Sequence, residues 1–220
     1  MTVRPADRDR VPDILGPVGD TSEPEGFRDR LLHGLSRSIA ERGYRATTIT
    51  DIVGHAAASR RTFYKVFSTK DDCLVDLMRM VSDELAQQLT ESVDPHADWR
   101  TQVTQAIGAY FDHVAAQPAV YLCSIREFPS LGPIAEEVIR KSNDAFVDLI
   151  HDLSDNEEFR RSALGPAPRP LALIILGGIN ELTADLVESG GDLRLGAEIA
   201  TATTTALLAT NFASRGNPAV

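Results

Sequence analysis

The stretch Ser59-Arg-Arg-Thr-Phe-Tyr-Lys-Val-Phe67 holds three cations and a tyrosine, and no acid occurs from Ser59 to Lys70. Place these residues on a helix at about 100° per residue with Arg60 at zero. Tyr64 then falls near ~40°, Arg61 near ~100° and Lys65 near ~140°. Phe63, Val66 and Phe67 fall on the other side, between ~240° and ~340°. One face is therefore cationic with a phenol, and the opposite face is apolar. A helix this short is unstable alone, so its apolar face must dock on neighbours and hold the cations outward. Guanidinium groups bond guanine through O6 and N7, while Tyr and Lys suit phosphate oxygens. That is the chemistry of nucleic-acid recognition. The alternative, an ordinary solvated charged face, is weakened by the absence of any acid in the run.

The net charge of −10 over 220 residues argues against nucleic acid when taken alone, because a polyanion requires local positive charge. The distribution of the charge points the other way. From Phe27 to Lys70 there are nine Lys and Arg against three acids (Asp29, Glu41, Asp51), a net +6 that leaves −16 for the rest of the chain. A basic reading head on an acidic body is the expected arrangement.

Elements that position such a face are legible on both sides of it. Residues 1–24 show no periodicity and read as a disordered tail. Phe27, Leu31, Leu35 and Ile39, with Leu32, form the apolar stripe of a first helix that Gly43 ends. Thr48 caps a short second helix, with Asp51 three residues on as a capping-box acid. Ser59 caps the third. Ser68-Thr-Lys-Asp-Asp72 begins a fourth, with acids in its first turn, and Leu74, Leu77, Met78, Val81, Leu85 and Leu89 continue it. The second helix, the Ala56-Ala-Ala58 connection and the third helix make a helix-turn-helix.

These residues carry a resemblance. Gly43-Tyr-Arg-Ala-Thr-Thr48, Ile49-Thr-Asp-Ile-Val and Ser59 to Phe67 followed by Lys70 closely resemble the N-terminal domain of TetR-family regulators, over roughly residues 25–75. The resemblance implies that Thr48 contacts phosphate from the second helix. It implies that Ser59 caps a recognition helix whose Arg60, Arg61, Thr62 and Tyr64 meet bases or backbone, and that Lys65 and Lys70 meet phosphates. Ala57 stands where the family usually has Gly in the turn, and a non-Gly residue avoids positive φ. Arg61 stands where Gly is common before Thr-Phe-Tyr and adds a cation at the DNA surface. Val66 replaces a frequent aromatic.

The remainder keeps helical spacing. Helices are expected at Trp99 to about Ala116, Pro118 to Arg126, Ile134 to Leu153, Leu171 to Val187 and Leu193 to Phe212, with a polar loop over 155–169. The chain is thus all-α, about nine helices. A helix-turn-helix domain spans 25–72, and a helical effector-binding and dimerisation domain spans 73–220. The resemblance implies a homodimer through the last two helices, about 171–188 and 193–212. Two reading helices about one DNA turn apart, ~34–36 Å, suit a palindromic operator. It also implies a ligand pocket, for which Met78, Trp99, Tyr110, Phe111, Tyr121, Phe128, Phe146, Asn180 and Glu181 are candidates, the last two beside Gly177-Gly178. Plain core is the alternative for the apolar ones.

The expected function is a repressor released by a small apolar or amphipathic effector. The alternatives are a DNA-binding protein of the same fold that acts through protein partners and, from a different class, a helical enzyme. No Gly-rich phosphate loop, nucleophile elbow or metal-ligand spacing supports an enzyme, a metal or a cofactor. His33, His55, His96, His113 and His151 are scattered. Cys73 and Cys123 are too few and too far apart for a disulfide framework. Cys73, near a helix start, is a minor candidate for redox sensing. The longest apolar run, from Leu171 to Ile179, is short of the ~20 residues of a membrane span. With no signal-peptide pattern at the N-terminus, a cytoplasmic protein is expected.

Overall fold

The computed structural model describes residues 24–210, which form ten α-helices and one 3-10 turn, with no strand among the described residues. The all-α expectation is met. The expected tail over 1–24, except for Pro24, and the expected end of the last helix beyond Thr210 lie outside the described residues.

The first helix, α1 (Pro24–Ala46), bends at Gly43, where φ is 76°. The expected stop at Gly43 is therefore a kink with a last turn beyond it, a conformation glycine adopts without a Cβ penalty. After α1 come α2 (Ile49–His55), α3 (Arg60–Val66) and α4 (Lys70–Ser92). The caps follow the sequence. Thr48 and Asp51 exchange both bonds of a capping box, Ser59 Oγ accepts from Thr62 N at 3.0 Å, and Thr69 and Asp72 form a second box. Each cap satisfies donors that a helix start leaves open.

The body comprises α5 (Trp99–Ala116), α6 (Pro118–Arg126), the 3-10 turn Phe128–Leu131, α7 (Pro133–Ser154), α8 (Glu157–Arg161), α9 (Arg169–Ser189) and α10 (Leu193–Ala209). The polar segment expected as a loop contains α8. Asn156 caps α8 and also donates to Gln102 Oε1 at 2.7 Å. Phe159 is buried, its ring centroid 5.8 Å from that of Trp99. A five-residue helix held by one cap and one anchor is too short to carry a periodic signal.

Two apolar cores result. The first gathers Leu31, Leu35, Ile52, Phe63, Leu74 and Leu77 from α1 to α4, and it also takes Val120 and Cys123 of α6, Phe128, and Val138 of α7. The second holds Trp99, Val103, Tyr110, Phe111, Val114 and Tyr121 with Phe159. Helix α6 thus puts Val120 and Cys123 into the first core and Tyr121 into the second. One close approach sets the reading head: a Cβ on Gly34 would lie 2.4 Å from the Ile52 carbonyl oxygen. Only glycine lets α1 and α2 meet there.

Candidate nucleic-acid interface and ligand cavity

Helix α3 is held as its pattern predicts. Phe63 is fully buried and Phe67 nearly so, their ring centroids 5.7 Å apart. Arg60, Arg61, Tyr64 and Lys65 are exposed, and Tyr64 sets its ring edge-on to Phe63 at 5.6 Å. No ion pair involving Arg60, Arg61 or Lys65 occurs among the described residues. Three other cations of the head are paired: Arg28 with Asp76, Arg42 with Asp51, Arg45 with Glu127. Free cations on one short helix with an exposed phenol make a surface fitted to phosphates and base edges.

The turn before α3 carries the departure from the family pattern at Ala57. Its φ is 47°, so alanine adopts the left-handed conformation glycine would supply. The turn is closed by the amide of Ala58 donating to the Val53 carbonyl at 2.9 Å. Thr48 and Ser59 are cap residues as well as candidates for contact, and Thr62 is the first-turn partner of the Ser59 cap. The Thr48 hydroxyl donates to Asp51 Oδ2 at 2.6 Å, and the Ser59 and Thr62 hydroxyls are 2.9 Å apart. The Thr48 hydroxyl and amide together hold the Asp51 carboxyl below its ordinary range.

Lys70 sits differently from the outward phosphate contact expected of it. Its Nζ donates to the carbonyls of Tyr44 at 2.9 Å and Thr47 at 2.8 Å and lies 4.2 Å from the Tyr44 ring centroid. The Tyr44 hydroxyl in turn bonds Asp71. This cluster fastens the end of α1 to the start of α4. A carbonyl pair at the kinked end of a helix competes well for an ammonium group.

The body holds a cavity of about 360 Å³ between α4, α5, α6, α7, α9 and α10. Of the candidates, Met78, Tyr110, Tyr121, Phe128, Phe146 and Asn180 line it. The other three do not. Trp99 packs on Phe159, with the Arg100 guanidinium 4.3 Å from its ring. Phe111 lies under α10, 3.0 Å from where a Cβ on Gly196 would stand. Glu181 is outside, paired with Arg126 at 2.8 Å, an arginine that also reaches Glu188 at 2.9 Å. Gly177 and Gly178 are likewise on the outer side of α9, so the closeness they permit is not to a cavity ligand. Periodicity alone does not tell which side of an amphipathic helix meets a cavity, so it does not separate these three from the six.

Asp, Glu, Lys, Arg and His are all missing from the cavity lining. Tyr121 Oη donates to Asn180 Oδ1 at 2.7 Å and Tyr110 Oη to the same oxygen at 3.2 Å, and the two hydroxyls also touch. Burial pushes the Tyr110 phenol up to about 12 and the Tyr121 phenol well above its usual value. Burial also raises both thiols, Cys123 to about 12, so Cys73 lacks the thiolate that redox sensing requires.

Couplings between body and head have no signal in the sequence. Ser36 on α1 donates to Gln117 Oε1 at 2.8 Å, just before α6, and Arg45 meets Glu127 at 3.6 Å just after it. Gly34 leaves a weak signal, being a glycine inside an otherwise helical pattern.

The outer faces of α9 and α10 are unusually apolar. Ile174 is 61% exposed, Leu195 52% and Ile199 48%. Ala202, Thr203 and Ala206 continue the α10 face at helical spacing. Helix α9 has the length and apolar composition of a membrane-crossing helix, though just 28% of its most apolar window is buried.

Residues 31–77 match the family model for bacterial regulatory proteins of the tetR family. The chain is 30% identical over 100 residues to the HTH-type transcriptional repressor KstR2 of Rhodococcus jostii (strain RHA1), covering 46% of this chain and 49% of that protein. It is 23% identical over 126 residues to the HTH-type transcriptional activator FasR of Mycolicibacterium smegmatis, covering 57% and 58%. The chain thus spans about half the length of these curated relatives. Its fold is shared with the transcriptional regulator FadR from Bacillus subtilis, solved in complex with stearoyl-CoA. The TM-score is 0.69 and the identity 17%, over 82% of this chain and 97% of that one. With its capped helix-turn-helix and its outward cations on α3, the segment 31–77 matches the tetR family of bacterial regulatory proteins, and the helical body shares the fold of a solved regulator.

Proposed function

We propose that this chain is a homodimeric repressor that reads a palindromic operator through α3 and is released by a small apolar or amphipathic effector in the body. The observation that carries the reading is the outward set Arg60, Arg61, Tyr64 and Lys65, whose three cations have no ion-pair partner among the described residues. Arg60 and Arg61 suit base edges, and Tyr64, Lys65 and Thr48 suit phosphates. A regulator of this kind acts in the cytoplasm, where its operator is.

The dimer reading rests on the outer face of α9 and α10. A second copy packed on Ile174, Leu195 and Ile199 would bury side chains that now face water, and the bare Gly177-Gly178 and Ala202 allow close helix approach. A bilayer is a poor alternative, because the same side of α9 bears Glu181 and Glu188 on Arg126, and ion pairs are costly in lipid.

The effector reading rests on the mainly apolar cavity. Signal transfer is supported by α6, which lines the cavity with Tyr121 and Ile125 and is tied to α1 through Gln117 and Glu127. Effector and operator affinities must then be reciprocally coupled. Repression accords with the name of KstR2, while FasR is named an activator. Gel mobility shift on the DNA upstream of the coding region is the test. Saturable binding to a palindrome and release by an apolar ligand support the reading. Binding unchanged in Arg60→Ala and Tyr64→Ala refutes it.

A further inference from the structure

We propose, on the reading of this cavity as the effector site, that the effector is elongated, uncharged along its buried length, and held at one hydroxyl or carbonyl oxygen by the Asn180 carboxamide. The juxtaposition behind it is an amide donor held in orientation by two phenols, in an extended cavity that has no ionised wall.

The shape comes from the lining. Along α4 and its C-cap it runs from Met78 to Val93, and along α7 from Val138 to Ser154. At ~1.5 Å of rise per residue, those spans are about 22 and 24 Å. The lining is therefore extended along two helices, and it suits a chain or a flat extended molecule better than a compact one.

The charge state follows from the walls. A buried carboxylate or ammonium group requires a counter-charge or several hydrogen bonds, and the lining has no Lys, Arg, His, Asp or Glu. The arginine on the nearby α6, Arg126, is held outside by Glu181 and Glu188. The phenols stay protonated at neutral pH, since burial raises both.

The anchoring group follows from counting donors and acceptors. Asn180 Oδ1 faces both phenol hydroxyls, which fixes the carboxamide orientation. Its two Nδ2 protons have no acceptor among the described residues. Asn143 and Thr204 also line the wall, but no hydrogen bond among the described residues orients their side chains, and the remaining polar groups are engaged. Ser142 bonds Ser82, Ser124 bonds the Tyr121 carbonyl, Ser154 bonds the Ile150 carbonyl, and Gln102 bonds Asn156 and Ala97. A ligand oxygen that accepts from Asn180 completes the cluster, whereas a hydrocarbon leaves it unmatched.

Isothermal titration calorimetry at pH 8 on the full chain tests this with 1-dodecanol, 2-dodecanone and dodecanoate as probes. The expected result is binding of the alcohol and the ketone, with dodecanoate at least about tenfold weaker. Asn180→Leu should weaken alcohol and ketone about tenfold and leave dodecanoate unchanged. Asn180→Asp replaces the donor with an acceptor, so it should lose the ketone and keep the alcohol, whose hydroxyl donates. A merely structural role for Asn180 would not divide the two probes. Dodecanoate binding as tightly as the alcohol overturns the inference while leaving the effector site standing, and so does alcohol or ketone binding indifferent to both variants. Failure of all three probes to bind overturns the effector site as well.

Discussion

Replacing Ala57 with glycine should stabilise this protein, because the turn between α2 and α3 holds alanine at φ 47°. An L-residue in the left-handed region pays roughly 1–2 kcal/mol for the approach of its Cβ to the following carbonyl. Glycine removes that cost but adds about 0.4–1 kcal/mol of chain entropy to the unfolded state. The net expectation is a gain of about 0.5–1 kcal/mol. For a chain of this length that is a rise in Tm of roughly 1–4 °C, measured by differential scanning calorimetry. The side chain of Ala57 is exposed, so its loss removes no core packing. Ala163, at φ 58° after α8, provides an internal comparison far from α3. Ala163→Gly should stabilise similarly and leave DNA binding untouched. Ala57→Gly should keep operator affinity within about twofold, since it favours the turn already present. A Tm that falls or stays level in Ala57→Gly would mean that the turn does not hold its left-handed residue as described.

Further outcomes follow from the same contacts. Gly34→Ala should cost well over 1 kcal/mol in chemical denaturation and abolish operator binding, because its Cβ would stand 2.4 Å from the Ile52 carbonyl oxygen and push α2 from α1. Ile199→Glu, alone or with Ile174→Arg, should convert a dimer to monomer in sedimentation equilibrium with little change in helicity, since both residues face water within one subunit. A persistent dimer would move the interface elsewhere. Acid should destabilise the fold. The carboxyls of Asp51 and Asp98 are held low mainly by hydrogen bonds to cap hydroxyls and amides. A depressed folded pKa contributes stability that is present above the unfolded value near ~3.9 and is lost as pH falls through the folded value. Asp51→Asn and Asp98→Asn together should therefore flatten the decline of Tm with pH below about 4.

How much was readable in the chain differs between head and body. In the head, chemistry is local. Thr48 with Asp51, Ser59 with Thr62, and the alternation of Phe63 and Phe67 with Arg60, Arg61 and Tyr64 all act within one or two turns, so spacing alone located them. Lys70 escaped because its partners, the carbonyls of Tyr44 and Thr47, lie more than twenty residues away. In the body, helical spacing located the helices but not the side of each that meets a cavity. Trp99 and Phe111 have the same spacing and apolarity as Tyr110 and Tyr121, and only packing against Phe159 and Gly196 separates them. The short α8 and the engagement of Glu181 by Arg126 depend on long-range partners. The departure at Ala57 was legible as a conflict between residue type and turn, and its resolution as a left-handed alanine belongs to the fold.

The central claim is that the outward cations of α3 read DNA, and the salt dependence of operator binding measures it most directly. Each neutralised phosphate contributes about −0.9 to the slope of log K against log salt. Fluorescence anisotropy on a palindromic operator should give Lys65→Ala a slope shallower by about 1.8 for a dimer with two such contacts. Arg60→Ala should instead flatten the preference for the operator over scrambled DNA. Slopes and preferences equal to those of the unmodified protein in both variants would contradict the account.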